Sequence, residues 1–300
     1  MTLPNFLIIG AMKGGTTSLY RYLEQHPDVF MSDVKEPRFF ALENDPLDYR
    51  GQDDPTSRCD HKTLETYTAL FSEVTSERAI GEASTLYLYH PDAAERIRHY
   101  VPEARLIAVL RHPVERAYSN FIYLRRDGRE PCAEFRDALA QEDDRVHRLR
   151  WGPLWHYKGR GFYAQQLERY FERFDRGQIR VYLYDDLRQD PEGLSKDVFG
   201  FLGVAEDFTP DVSVDWNISG IPRSQGLHRF LRGTKPVRTA LGRLLPEATK
   251  RRVSFRLQRM NLAQPPPIDP ALRRELCELF RDDVCHLQDR IGRDLSAWLE

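Results

Sequence analysis

The segment Ile8-Ile9-Gly10-Ala11-Met12-Lys13-Gly14-Gly15-Thr16-Thr17-Ser18 constrains this chain more than any other. A short apolar strand feeds a glycine-containing turn, and the turn opens a helix. The first amides of a helix lack intrahelical partners and the helix dipole adds positive potential, so such a junction binds anions. Gly14 and Gly15 let a phosphate approach the backbone closely. Thr16, Thr17 and Ser18 add hydroxyl donors, and Lys13 adds a fixed positive charge. A Walker A loop reads G-x-x-x-x-G-K-[ST]. Gly10 and Gly15 keep that separation, but Thr16 stands where the lysine belongs and the lysine comes earlier. The cradle is of a different kind.

A second segment, Arg105-Leu-Ile-Ala-Val-Leu-Arg111-His112-Pro113-Val114-Glu115-Arg116-Ala117-Tyr118-Ser119, ends a buried strand on an arginine. Ser119 falls eight residues on, about two turns along the next helix, and can face the same way. An arginine there suits a bidentate phosphate clamp. Between and beyond these segments strand and helix alternate. Phe6–Gly10, Arg105–Leu110 and residues 179–184 read as strands, with Val29–Met31 and residues 79–82 as shorter ones. Helical stretches fall at 63–71, at 91–100 (opened by Pro91), after Pro113, at 161–174 and after Asp190. Buried parallel strands separated by helices predict an α/β fold with a P-loop-like doubly wound sheet, ligands lying at the strand carboxyl ends. After about residue 208 the character changes to a loop at 217–223, a basic helical region at 227–260 and a Pro265-Pro266-Pro267 break. A last helix follows, with Leu272, Leu276, Leu279, Phe280, Val284, Leu287 and Ile291 as its stripe. We expect one domain over residues 1–300, a core of about 1–208 carrying a helical C-terminal appendage.

Composition excludes several classes. Net charge is −2, with 44 basic and 46 acidic residues interspersed, so no general nucleic-acid or membrane surface is expected. A local basic pocket is still allowed. The four cysteines (Cys59, Cys132, Cys277 and Cys285) form no C-x-x-C pair and no zinc spacing. Cys277 and Cys285 are expected near one face of the last helix. Met-Thr-Leu-Pro-Asn runs straight into the first strand, which leaves no room for a signal peptide, and no apolar run approaches a membrane span. A reduced, cytoplasmic chain without a membrane anchor is the expectation.

Together these segments resemble the sulfotransferase family that uses 3′-phosphoadenosine 5′-phosphosulfate (PAPS), its bacterial and heparan-sulfate-type members above all. The loop 13–18 is similar to the family's 5′-phosphosulfate loop, and Arg111 with Ser119 resembles its 3′-phosphate pair. Lys35-Glu36-Pro37-Arg38-Phe39-Phe40 resembles the K-E-x-x-F-F segment, whose glutamate serves there as general base. Weaker echoes run through Gly81-Glu82-Ala83-Ser84-Thr85, Gly161-Phe162-Tyr163, Tyr184-Asp185-Asp186-Leu187 and Gly292-Arg293-Asp294-Leu295. The resemblance implies PAPS as donor, PAP as product, and no metal. Two departures stand out. Heparan-type members carry a lysine where Ala83 stands, and their Lys-Gly-Arg substrate loop lies near the C-terminus, whereas Lys158-Gly159-Arg160 lies mid-chain. Arg223 is a possible replacement contact to the nucleotide.

The resemblance makes Lys13 and Glu36 the catalytic pair, with Lys13, Gly14, Gly15, Thr16, Thr17, Ser18, Arg111, Ser119 and Arg223 binding the nucleotide. Sulfuryl transfer needs fixed positive charge at the leaving oxygen and a base for the acceptor hydroxyl. Glu82 is the reserve base; His112 and His90 read as structural residues at helix starts. Two other classes stay open. A P-loop kinase or NTPase would use Asp185 or Asp186 at the end of residues 181–186, although either more simply caps the turn. A non-catalytic nucleotide-binding module would not need Glu36. The acceptor is a small molecule or a carbohydrate or glycolipid hydroxyl by family analogy. Trp151, Trp155 and Tyr157 line its cleft or belong to the core.

Overall fold

The computed structural model describes residues 2–51, 54, 59–214, 220–222 and 262–300. Arg223, the loop at 217–219 and 223, and the basic region 227–260 lie outside the described residues.

Five strands form one parallel sheet: β1 (Phe6–Gly10), β2 (Val29–Met31), β3 (Ala79–Ala83), β4 (Arg105–Leu110) and β5 (Ile179–Leu183), in the order β2-β3-β1-β4-β5. Every residue of β1, and all of β4 after Arg105, is buried, as a strand covered on both faces requires. Phe6 pairs with Gly81 of β3 on one side and with Arg105 of β4 on the other. Alternation then sends Leu7, Ile9, Leu106, Ala108 and Leu110 into one core, and Phe6, Ile8, Ile107 and Val109 into a second core across the sheet. Helices Pro113–Arg126, Tyr163–Phe171 and Pro270–Ile291 cover the first face, while Thr16–Leu23 and Pro191–Leu202 cover the second. The chain leaves β1 toward β2 on one side and leaves β4 toward β5 on the other. The switch point therefore lies between β1 and β4, where an open α/β sheet takes its ligand.

Within the described residues the expected strands and helices are present, with shifted ends. Residues 63–71 split into Leu64–Thr68 and a tighter turn at Ala69–Phe71, and Pro91 precedes its helix, which runs Ala93–Tyr100. Residues 161–174 shorten to Tyr163–Phe171. Two expectations for the last helix fail. Leu279 is 44% exposed and Cys285 is exposed, whereas Cys277 is buried. Eight residues turn a helix about 80° beyond two full turns, enough to carry Cys285 off the buried stripe of Leu272, Leu276, Phe280, Val284 and Leu287. All four cysteines are free thiols. Trp155 and Tyr157 are fully buried core residues, and Trp151 packs against them partly exposed.

The loop after β1 folds back onto β4. The Ala11 N–H donates to the Val109 carbonyl at 2.9 Å, and the Gly14 N–H to the Ala11 carbonyl at 2.9 Å. A Cβ on Gly14 would stand 2.1 Å from the Val109 carbonyl oxygen, a backbone atom that no rotamer change can move. Gly14→Ala is expected to cost about 1–3 kcal/mol of stability, the range for overpacking, and to weaken anion binding by displacing the loop. Urea unfolding of the two proteins measures it, and an unchanged midpoint would show that the loop does not depend on this contact.

Candidate active site

The helix Thr16–Leu23 starts at Gly15 (φ 94°) with no side-chain cap and no acidic residue in its first turn. Its leading amides are thus left for an anion. A Cβ on Gly15 would meet Leu187 at 2.8 Å. Thr16 and Thr17 line a cavity of about 260 Å³ together with Lys13, whereas Ser18 is buried one residue further on and does not line it. The Lys13 ammonium lies 4.9 Å from the centre of the Tyr123 ring. Burial, then repulsion from Arg126 and Arg111, brings its pKa down to about 7. An added anion would offset the repulsion from the two arginines.

Glu36 faces the same cavity. Its backbone N–H donates to the Ala83 carbonyl at the end of β3, 2.9 Å away. Its carboxylate accepts the Thr85 N–H at 3.1–3.2 Å and the Thr85 hydroxyl at 2.9 Å, with Lys35 at 3.5 Å and Arg38 at 3.7 Å. Burial pushes this carboxyl up, but Lys35, Arg38 and the Thr85 bonds outweigh it and hold it below the ordinary glutamate range. The segment is anchored by Phe39 and Phe40, both fully buried, with Phe39 stacked on Tyr67 at 4.5 Å. Lys13, Glu36 and Arg38 have φ of 67°, 65° and 62°. Three non-glycine residues in the left-handed region around one cavity mark a segment held by its surroundings rather than by local preference.

Arg111 and Ser119 meet in a second cavity of about 410 Å³ at the end of β4, with Tyr118, Arg273 and the Pro265-Pro266-Pro267 segment. The Arg111 guanidinium lies 4.8 Å over the Tyr184 ring and 3.8 Å from the Glu115 carboxylate. Ser119 Oγ is buried without a hydrogen-bond partner among the described residues, an unmet polar atom beside a cation. Arg273 from the last helix also pairs with Glu115 and reaches His112 Nε2 at 3.3 Å. His112 caps its helix through Nδ1 to the Val114 N–H, and burial with Arg273 nearby brings it down to about 4. His90 Nδ1 likewise accepts the Asp92 N–H.

Glu82 is fully sealed, accepts the Tyr67 hydroxyl at 3.2 Å and leaves Oε2 unpartnered; burial raises its pKa to about 7. It lines neither cavity. Asp186 accepts the Leu183 N–H at 3.0 Å and forms a two-pronged pair with Arg293, and Asp185 is exposed. Among the described residues no group of three or more His, Cys, Asp or Glu could hold a metal ion, and no helix is long and apolar enough to cross a membrane. Sequence reasoning did not single out Thr85, Tyr123 or Arg160 as lining this cavity. Arg38 appeared only inside a motif.

A lysine with a pKa near 7 differs in kind from its neighbours. Lys13 is expected to react with an amine-selective reagent near neutral pH much faster than exposed lysines, which stay protonated there. Inorganic phosphate should slow it by raising its pKa. Peptide mapping after limited labelling reads both effects; equal labelling of Lys13 and the exposed Lys196 would refute the shift. The sign for stability follows: the unfolded chain binds the extra proton between about pH 7 and 10.5, so this group makes stability rise with pH across that window.

Comparison with known proteins agrees with this architecture. The model of the sulfotransferase family matches residues 4–209. The chain is 29% identical over 311 residues to mouse bifunctional heparan sulfate N-deacetylase/N-sulfotransferase 4, covering 99% of this chain and 31% of that protein. It is 30% identical to human heparan sulfate glucosamine 3-O-sulfotransferase 6 over 67% of this chain and 52% of that one. It thus spans about a third to half the length of these curated relatives. The crystal structure of a sulfotransferase from Alicyclobacillus acidocaldarius superimposes with a TM-score of 0.79 at 35% identity, each chain covered completely. With a family model matched over more than half its length, on a parallel sheet whose β1 loop presents a lysine to a cavity, the chain belongs to the sulfotransferase family.

Proposed function

We propose that this protein transfers a sulfuryl group from PAPS to an acceptor hydroxyl. The observation that carries the reading is one cavity lined by both Lys13 and a Glu36 carboxylate held ionised by Thr85, Lys35 and Arg38. The remaining residues fit the donor. The uncapped amides after Gly15, with Thr16 and Thr17, suit its 5′-phosphosulfate, and Arg111 with the unpartnered Ser119 hydroxyl suits its 3′-phosphate.

The donor supplies a sulfonate already activated on a phosphate oxygen. Lys13 and the loop amides stabilise the charge that builds on that oxygen as its bond to sulfur breaks. Glu36 takes the proton that the acceptor hydroxyl loses as its oxygen bonds to sulfur. A depressed pKa keeps Glu36 ionised over a wide range, at some cost in basicity. Glu82, sealed behind Tyr67, is a structural acid in this scheme. The acceptor is a carbohydrate or a related small molecule, a reading supported by the named substrate of the heparan sulfate relatives. The kinase alternative is weakened because Asp186 is engaged by Arg293.

Incubation with ³⁵S-labelled PAPS and a panel of carbohydrate and phenolic acceptors tests the proposal. Label transfer without ATP supports it; ATP hydrolysis that needs Mg²⁺, with no transfer from PAPS, overturns it. Glu36→Gln should lose roughly 10²–10⁴ in kcat while PAP affinity holds. The acidic limb of the wild-type rate profile should lie below the ordinary glutamate range and vanish in the variant, because only the ionised carboxylate accepts a proton. Turnover abolished by Glu82→Gln but kept in Glu36→Gln would reverse the assignment. Arg111→Ala and Ser119→Ala should weaken PAP, by about 1.5–3 kcal/mol for the arginine, with little effect on AMP, which lacks the 3′-phosphate. Calorimetry with both nucleotides decides, and equal losses would move Arg111 out of that subsite.

A further inference from the structure

The scheme above uses one cation on the reacting group and leaves a second unexplained. Arg160 belongs to the short turn Gly159–Gly161, is 5% exposed, and lines the same 260 Å³ cavity as Lys13 and Glu36. Its Nη1 donates to the Pro153 carbonyl at 3.3 Å and its Nη2 to the Thr85 carbonyl at 3.1 Å. The guanidinium lies 5.5 Å over the Tyr89 ring. Both hydrogen-bond partners are neutral, so among the described residues this buried charge makes no direct ion pair, Glu36 acting on it only at longer range. A guanidinium has more N–H groups than these two bonds use. Its Nε makes neither of these bonds and is not among the sealed, unpartnered atoms, and the residue lines the cavity, which leaves donors for a ligand there.

The mount is stiff. The buried Glu142 carboxylate accepts the Lys158 and Gly159 N–H groups at 2.7–3.0 Å, and Gln166 donates to the Gly159 carbonyl at 3.1 Å. Three residues on, the Tyr163 hydroxyl donates to the Arg111 carbonyl at 2.9 Å, tying this turn to the end of β4. Thr85 connects Arg160 to the base, since its carbonyl accepts from Arg160 while its N–H and hydroxyl donate to Glu36. A rigid, desolvated guanidinium aimed into a cavity is built for an anion with several equivalent oxygens.

We propose that Arg160 is a second catalytic cation, contacting the sulfonate oxygens during transfer and, through Thr85, orienting Glu36. The inference rests on the sulfuryl-transfer reading above. As the acceptor oxygen bonds to sulfur, the bond from sulfur to the phosphate oxygen breaks and its electron pair stays on that oxygen beside Lys13. The acceptor proton passes to Glu36. The non-bridging sulfonate oxygens keep their charge throughout and receive the Arg160 donors, a role PAP cannot report because it lacks the sulfonate.

The test compares wild type with Arg160→Gln and Arg160→Lys in the full chain, reading kcat, KM, PAP affinity, the pH–rate profile and the thermal midpoint. Arg160→Gln is expected to lose on the order of 10²–10³ in kcat, the scale for one preorganised donor, with PAP affinity held within about twofold. Its acidic limb should move to higher pH, because a cation near Glu36 has gone. Arg160→Lys should keep the limb in place and recover part of the rate. A folded Arg160→Gln with kcat within about threefold of wild type overturns the proposal, as does PAP affinity falling in step with kcat, which would make Arg160 a nucleotide anchor. Should Arg160→Gln fail to fold, Arg160→Lys decides: it keeps charge but not the planar fork, so an undiminished kcat overturns the idea. A wild type that moves no sulfuryl group overturns the functional reading and this inference together. A working wild type with an unimpaired Arg160→Gln overturns this inference alone.

Discussion

The carbonyl of Val109 is the contact on which the site turns. It belongs to β4, yet it receives the Ala11 N–H from the loop after β1, and Gly14 passes so close that only a hydrogen fits on its α-carbon. That single acceptor fixes the loop to the neighbouring strand and so fixes where Lys13 and the start of the Thr16–Leu23 helix point. Two strands further along the same logic, Ala83 at the end of β3 receives the Glu36 N–H. The carboxyl ends of three adjacent strands therefore carry the Lys13 loop, the carboxylate segment and Arg111. Pairing of apolar strands, driven by burial on both faces, positions chemistry that none of those strands contains.

Electrostatics divides the site into groups whose charge the protein compensates and groups whose charge it leaves poorly compensated. Glu36 is surrounded by two cations and two donors, so its charge is supported by the protein's own groups. Lys13 faces arginines and an aromatic ring, and its charge is poorly supported until an anion arrives. Ser119 Oγ has no hydrogen-bond partner among the described residues. Fixed charges of this kind favour one geometry of an anionic ligand over others.

The legible parts of this molecule were those encoded within one stretch of chain. The loop 10–18 reads directly because strand, turn and helix start follow each other without interruption. Arg111 reads because it ends an apolar run, and Ser119 because helical spacing carries it round to the same side. The link from Glu36 to Thr85 was not readable: it spans 49 residues and exists because β2, which leads into the Glu36 segment, lies beside β3, which leads into Thr85. Arg160 was equally hidden, since a short turn has no periodicity to say which way a side chain points. Trp155 and Tyr157 were open between cleft and core, because burial depends on neighbours that composition cannot name. Leu279 and Cys285 failed for a smaller reason. A step of one residue rotates a helix by about 100°, so a stripe read from spacing has uncertain edges.

The left-handed backbone at Lys13, Glu36 and Arg38 carries a consequence for how this protein can change. Each such residue holds a conformation that glycine would adopt at no steric cost, at a strain of order 1–3 kcal/mol apiece. Substitution by glycine at any of the three relieves that strain, and at each it deletes a charge beside the cavity. Selection for heat tolerance alone would press on these positions in the direction opposite to selection for turnover. A thermostable descendant that keeps its chemistry has to find its stability elsewhere, in the two cores on either side of the sheet.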